Sequence, residues 1–358
     1  MPPSPPRRGA SVTRDLITLD GVSKHFSPTP SLAARLAGLV TGRRPAAVRA
    51  VTDVDLAVRP GEVVGLVGES GCGKSTLARL VAGLAVPSAG RVLFEGRDRA
   101  SLPPRERRAA ALAVQMIFQD ASSSLNPRLR VEDIVGEAPV THGLVPARER
   151  RDAVAALLGR VGLPADAMTR YPHQFSGGQR ARIGIARALA VKPRLLVCDE
   201  SVAALDVSIQ AQVLNLFMDL RRDLGLTYLF VSHDLGVIAH IADRVCVMYL
   251  GRIVEEAPAE TLFAAPAHPY TVSLLAQTPR LVPGKRRFTG LTGEPPSPLA
   301  PPPGCHFHPR CPAAIPRCRS EAPLLRPVGP GQRVACHRDR SEFLPETRGS
   351  AADPAVAS

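Results

Sequence analysis

The apolar positions of this chain follow two rhythms. Short runs with almost no polar interruption, at 63–67, 195–198, 227–231 and 245–249, predict strands buried on both faces, as in a parallel sheet. A second kind of strand mixes apolar and polar positions. Leu16-Ile-Thr-Leu19 then Val22 reads as a first strand, closing on Lys24-His25-Phe26, and an alternating pattern follows over 48–58 with Val51, Val54, Leu56 and Val58. The segment 91–94 followed by Glu95-Gly96 reads as a hairpin strand, and 114–118 as a short buried strand ending at Gln119. Helical periodicity covers 77–84, 105–113, 131–168, 180–190 and 207–224, with Val154, Leu157, Leu158 and Val161 on one face of the third. Pro164 and Pro172 break the chain ahead of the fourth. Strands alternating with helices at this spacing predict an α/β fold with a mostly parallel core sheet. Residues 28–47 interrupt the first β pattern around a short apolar helix-like piece, and near Pro279 the composition turns to Pro, Arg and Cys, where a domain boundary is expected. Residues 1–14 and 341–358 bury little and are expected to be disordered.

One junction in this pattern carries chemistry. Gly68-Glu69-Ser70-Gly71-Cys72-Gly73-Lys74-Ser75-Thr76 stands between a buried strand and a helix and fits the G-x-x-x-x-G-K-S phosphate loop. Its glycines let the backbone curl with N–H groups turned inward, and the following helix extends that partial positive charge toward a triphosphate. Lys74 is expected on the outer phosphates and the Ser75 hydroxyl on Mg²⁺. Cys72 reads as a small filler.

Two carboxylates leave the strand at 195–199 at its C-terminal tip, where open parallel sheets place ligands. Asp199 is placed to bind Mg²⁺ through water, and Glu200, one residue on, to polarise the attacking water. Gln119 is expected to touch both metal and water, and His233, just past another buried strand, the γ-phosphate. Phe26 either stacks on adenine or packs in the core.

Composition narrows the setting. The 358 residues carry 45% hydrophobic and 4% aromatic residues, no Trp and a formal charge of +13, enough for a large core plus an appendage. No apolar run reaches the roughly 18 residues a membrane span needs, and the Pro-rich basic start is unlike a secretory signal, so a cytoplasmic chain is expected. Ten basic residues against three acidic between Lys285 and Arg340 would suit a membrane surface or a solvated tail. Stacking aromatics for single-stranded nucleic acid are missing there, and no nucleic-acid partner is expected.

Phe175-Ser176-Gly177-Gly178-Gln179 lies between the phosphate loop and the Asp-Glu strand. Its glycines leave N–H groups free, Ser176 adds a hydroxyl, and the next helix aims its N-terminus at an anion. Taken together, these residues resemble the ATP-binding subunit of an ABC transporter, over roughly residues 14–340. The resemblance implies a P-loop NTPase of the ABC type: a nucleotide-binding domain at 15–278 with an antiparallel β subdomain and a helical signature subdomain at about 120–190. It also implies that two such domains pair head to tail, each Ser176 to Gln179 segment facing the other's phosphate loop. Ala204-Leu205-Asp206 matches the family's dimer-contact loop. ATP binding would close the pair and hydrolysis would release it.

Finer marks point to one branch. Ser124-Leu-Asn-Pro127, His268-Pro-Tyr-Thr271, Gly293-Glu-Pro-Pro296 and Cys305-His-Phe-His-Pro-Arg-Cys311-Pro312 are similar to the oligopeptide/dipeptide/nickel importers. That branch implies a paralogous ATPase partner, two membrane permease subunits, a solute-binding protein and a place on the cytoplasmic face of the inner membrane. Ser201 stands where the family usually has Pro and Ala203 where Ser or Thr is common; neither removes a phosphate, metal or base group, so hydrolysis is expected. In the extension at 279–340, Cys305, Cys311, Cys318 and Cys336 are spaced C-x5-C-x6-C-x17-C. Four such thiolates can wrap Zn²⁺ or an iron–sulfur cluster, or can be four free thiols, and the branch implies a 4Fe-4S cluster in some members. A soluble ABC ATPase acting on nucleic acid or ribosomes is the competing reading; one phosphate loop, one signature and no sustained heptads weigh against it.

Overall fold

The computed structural model describes residues 15–27, 47–119, 124–277 and 293–343. The expected disordered start, the tail beyond Phe343, most of the 28–47 interruption, Asp120 to Ser123 of the segment after Gln119, and the start of the extension lie outside them, while Ser341 and Glu342, expected in the disordered tail, form a helical turn with Arg340.

The chain opens with strands β1 (Ile17–Phe26), β2 (Val48–Val58) and β3 (Val63–Val67), then helix α1 (Lys74–Ala82). Strands β4 (Ala89–Phe94) and β5 (Arg97–Asp98), helix α2 (Pro104–Ala113) and strand β6 (Val114–Ile117) follow. Helices α3 (Val131–Thr141), α4 (Arg150–Arg160) and α5 (Gly177–Leu189) come next, then β7 (Leu195–Asp199), α6 (Val207–Leu224), β8 (Thr227–Val231) and α7 (Leu235–Ile241). After these come β9 (Arg244–Tyr249), β10 (Arg252–Pro258), α8 (Ala259–Ala264), α9 (Pro269–Ala276), β11 (Arg326–Gly329) and β12 (Gln332–Val334).

Among the described residues the strands form two sheets. A four-stranded sheet runs β2-β1-β4-β5, all antiparallel. An eight-stranded sheet runs β11-β12-β10-β9-β3-β8-β7-β6, parallel from β9 to β6 and antiparallel beyond β9. The uninterrupted apolar runs are its central strands, and their residues alternate between two cores as a period of two requires. Val63, Val67, Leu196, Cys198, Tyr228, Phe230, Val245 and Val247 face one core with the helices. Val64, Leu66, Leu195, Val197, Leu229, Val231 and Cys246 face the other, where Leu77 and Val81 of α1 meet Leu19, Val54 and Leu56 of the smaller sheet. Helix α1 is thereby held between the two sheets.

Three expectations change. The long helical pattern at 131–168 is two helices, α3 and α4, parted by a turn in which Gly143 takes a φ of 69°. The helix expected from 180 starts at Gly177, because Ser176 caps it and offsets the poor helix propensity of two glycines. Across the expected boundary near 279, β12 pairs with β10 and carries β11 onto the same sheet, so the extension's strands continue the core sheet.

Candidate active site

Because β3, β8, β7 and β6 are neighbouring parallel strands, their C-terminal ends open on one edge, and every chain exit there carries a predicted functional residue. From β3 comes the phosphate loop. Gly68 and Gly73 hold φ of 154° and 109°, and a Cβ at either would stand 2.2 Å from the Met248 carbonyl oxygen or 2.1 Å from that of Ala50. Only glycine lets the loop pass so close to its neighbours. Lys74 is 4% exposed, and its Nζ donates to the carbonyls of Gly68 at 2.7 Å and Glu69 at 2.9 Å. Cys72 is buried against this loop, and burial pushes its thiol up, consistent with a filler.

From β7 come Asp199 and Glu200. The Ser75 hydroxyl donates to Asp199 Oδ1 at 3.0 Å, so the loop's hydroxyl and the strand-tip carboxylate share one spot. Asp199 is 4% exposed and burial raises its pKa, with the nearby Glu200 charge adding to the rise and the Ser75 bond opposing it. Glu200 takes a left-handed φ of 48°, a strain characteristic of functional positions, while its N–H donates to Val231 at 3.0 Å. That backbone turn sends its side chain away from Asp199 and between two neighbours. Gln119, beyond β6, donates to Glu200 Oε2 at 2.7 Å, and His233 Nδ1, beyond β8, lies 3.3 Å from Oε1. Three chain segments far apart in sequence meet around one carboxylate, and a fourth, the phosphate loop, bonds its neighbour Asp199.

The remaining candidates lie elsewhere. Ser176 caps α5 with a reciprocal box: its Oγ accepts from the Gln179 N–H at 3.3 Å and its own N–H donates to Gln179 Oε1 at 3.0 Å. Gly178 lets α6 come close, since a Cβ there would stand 2.4 Å from Ile209 Cγ2. Ser176 and Asp206 are exposed, and Val207 beside Asp206 is 85% exposed. Phe26 is 47% exposed at the end of β1 with the Lys24 ammonium 5.3 Å from its ring, so it joins neither core.

Two contacts of the loop were not read from the sequence. The Tyr270 hydroxyl accepts the Glu69 N–H at 2.8 Å, and Arg310 forks onto both Glu69 carboxylate oxygens at 2.7 and 3.0 Å. Both residues sit in segments that mark the importer branch, which was the available signal, but nothing local to either names its partner.

For the cysteines the structure corrects the expectation. Among the described residues no group of three or more His, Cys, Asp or Glu side chains is arranged to hold a metal ion, so neither a 4Fe-4S cluster nor Zn²⁺ is supported. Burial pushes the Cys305 thiol up to about 11, Cys311 up to about 12 and Cys336 upward as well, which keeps them protonated. The adjacent histidines are engaged with backbone carbonyls: His306 with Leu250, His308 with Cys305 and His337 with Glu321.

Comparison with known proteins fits this geometry. Residues 51–203 match the ABC transporter family, and residues 254–318 match the oligopeptide/dipeptide transporter C-terminal region. A probable peptide ABC transporter ATP-binding protein y4tS of Sinorhizobium fredii is 54% identical over 81% of this chain and 82% of its own. This chain belongs to the ATP-binding subunits of the peptide ABC transporters. The oligopeptide transport ATP-binding protein AppF of Bacillus subtilis is 46% identical over 90% of this ABC subunit and 97% of its own length. A dimeric ATP-binding cassette, MJ0796, bound to ADP and Pi, superposes with a TM-score of 0.57 at 26% identity over 68% of this chain and 98% of that one. The same fold recurs in cbiO1 from Clostridium perfringens, TM-score 0.58 over 70% of this chain and 92% of that one. The ABC subunit is an ATPase whose family works as a paired cassette with membrane permeases. Among the described residues no helix is long and apolar enough to cross a membrane.

Proposed function

We propose that this subunit powers import of oligopeptides or dipeptides by closing and opening a head-to-tail pair of cassettes around ATP. The observation that carries the reading is the Glu200 carboxylate fixed between Gln119 and His233, one residue from the Asp199–Ser75 hydrogen bond. In this reading Glu200 is the base that takes a proton from the attacking water. His233 contacts the γ-phosphate, and Gln119 orients the water. Lys74 turns from the loop carbonyls to the outer phosphates, and Gly68 to Thr76 cradle the rest. Phe26, already exposed, stacks on adenine.

Ser75, Asp199 and Gln119 offer a hydroxyl, a carboxylate and an amide oxygen, hard donors that fit Mg²⁺, which would neutralise charge on the phosphates when bound. The second cassette contributes Ser176 to Gln179, whose capped and exposed helix start suits a γ-phosphate held across the interface, and Asp206 lies at that contact. The partner cassette is a paralogue, and two permeases and a solute-binding protein complete the importer at the cytoplasmic face of the inner membrane. Residues 15–278 make the nucleotide-binding domain, with 279–340 appended. No step passes through the extension's cysteines; iron, sulfide and zinc analysis of anaerobically purified protein measures whether they take a cluster after rearrangement.

Glu200→Gln tests the reading. ATP binding should persist while hydrolysis falls by about two orders of magnitude or more, the scale of losing a general base, and the paired form should accumulate with ATP in size-exclusion chromatography. Hydrolysis at the parental rate removes Glu200 from the base role.

A further inference from the structure

Glu69 is gripped at every polar group it has. Its N–H donates to the Tyr270 hydroxyl of α9 at 2.8 Å, its carbonyl accepts from Lys74 at 2.9 Å, and its carboxylate takes the two-pronged Arg310 fork. Arg310 is 8% exposed, lies 241 residues away in sequence, and also reaches the Tyr249 hydroxyl at 3.4 Å. Behind it, Tyr249, Tyr270 and Phe307 pack edge-to-face and tilted into one aromatic block with ring centres 4.7 to 5.4 Å apart. That block joins β9, α9 and the extension into a wall behind the first turn of the phosphate loop.

The consequence follows from what Lys74 must do. Its ammonium now ties the loop together through the Gly68 and Glu69 carbonyls, and those bonds break when it turns to a phosphate. Within the loop the Cys72 N–H still donates to the Glu69 carbonyl at 3.3 Å, and the rest of the hold on the first turn comes from outside the loop. A carboxylate at position 69, left uncompensated, would also repel the incoming anion. A planar guanidinium answers both needs, because two parallel bonds fix orientation while its charge cancels that of the carboxylate.

We propose that Arg310 is a positioning residue for ATP, by which the C-terminal extension keeps the phosphate loop preorganised while Lys74 is on the nucleotide. This rests on the reading of Gly68 to Thr76 as the ATP cradle. The extension then serves the nucleotide site directly.

The test uses the full chain, a fluorescent ATP analogue with Mg²⁺, and thermal unfolding in parallel. Arg310→Ala should weaken nucleotide binding by about tenfold, since a binding-competent loop becomes a minor population. The KM for ATP should rise by a similar factor while kcat moves much less. Arg310→Lys should recover only part of the loss, a point charge being unable to hold both oxygens. Arg310→Ala with Glu69→Gln should bind better than Arg310→Ala alone, because the repulsive charge is gone. Parental affinity and KM in Arg310→Ala and Arg310→Lys, with only the melting temperature lowered, would show Arg310 to be a packing residue and overturn the proposal. Lys74→Ala reports separately on the cradle: parental affinity there removes the cradle reading and the Arg310 proposal with it, whereas a loss there beside parental affinity in Arg310→Ala overturns the Arg310 proposal alone.

Discussion

Two helices of this ATPase have glycine at their N-terminal boundary, Gly73 capping α1 and Gly177 opening α5, yet they are finished in opposite ways. At α1 the start is enclosed: Lys74 is buried, its charge is satisfied by the loop's own carbonyls, and Glu69 is tied down from three sides. At α5 the start is exposed, and its polar groups are satisfied by one local box between Ser176 and Gln179. The α1 loop depends on residues from both ends of the chain, whereas the α5 cap depends on four consecutive positions. That contrast is the one expected if the first is a complete cradle and the second is half of a site awaiting another subunit.

The strongest way to break the comparison is at Lys74. Lys74→Ala removes the only charged side chain the loop itself offers the outer phosphates, and truncating such a partner costs about 2–5 kcal/mol, roughly thirtyfold or more in affinity. Isothermal titration with ATP and Mg²⁺ should show the loss in the single chain, with no need for a pair. Unchanged affinity would mean that the enclosed loop is not a nucleotide site.

The second test separates capping from catalysis at α5. Aspartate caps helices as well as serine does, so Ser176→Asp should change stability by only about half a kcal/mol. Its charge would face a γ-phosphate in the paired form, so ATP hydrolysis should fall by about one to two orders of magnitude while nucleotide binding by the single chain stays near the parental value. Parental hydrolysis in this variant would leave Ser176 as a cap and nothing more.

What was legible in the sequence divides along the same line. Strands β2, β7 and β8 and helix α6 begin and end where their periodicity predicts, because each is set by burial of its own residues. The convergence of Asp199, Glu200, Gln119 and His233 follows once the strands are parallel neighbours, since each residue terminates or follows one. The start of α5 was misplaced because glycine propensity argues against a helix and only the capping box outweighs it. The Arg310 fork could not be read at all, because a charge pair across 241 residues leaves no periodic trace. The cysteine spacing suggested ligands, but spacing does not fix where thiols point, and burial pushes the thiols of Cys305, Cys311 and Cys336 upward.

Acid offers the mildest way to sharpen the contrast, because the α1 side has a buried titrating group, His268, in its support. His268, fully buried two residues before Tyr270, accepts the Tyr270 N–H at 3.0 Å as the cap of α9, and burial lowers its pKa from the usual 6.5 to about 3. The unfolded chain therefore binds a proton that the folded one refuses, so this stabilisation is full above 6.5 and is lost as pH falls toward 3. Glu255, which accepts the His268 N–H at 2.9 Å, has its pKa raised by burial and acts with the opposite sign, favouring the folded state as acid protonates it. His268→Asn keeps a capping acceptor and removes the titration. Its stability will be offset by lost packing against Phe307, 5.8 Å away, but its decline between about pH 7 and about pH 5 should be shallower by about 1–2 kcal/mol. Denaturant melts at the two pH values measure this. Equal slopes in both proteins would mean that His268 does not carry the acid sensitivity, and that the wall behind the phosphate loop is as indifferent to protons as the cap of α5.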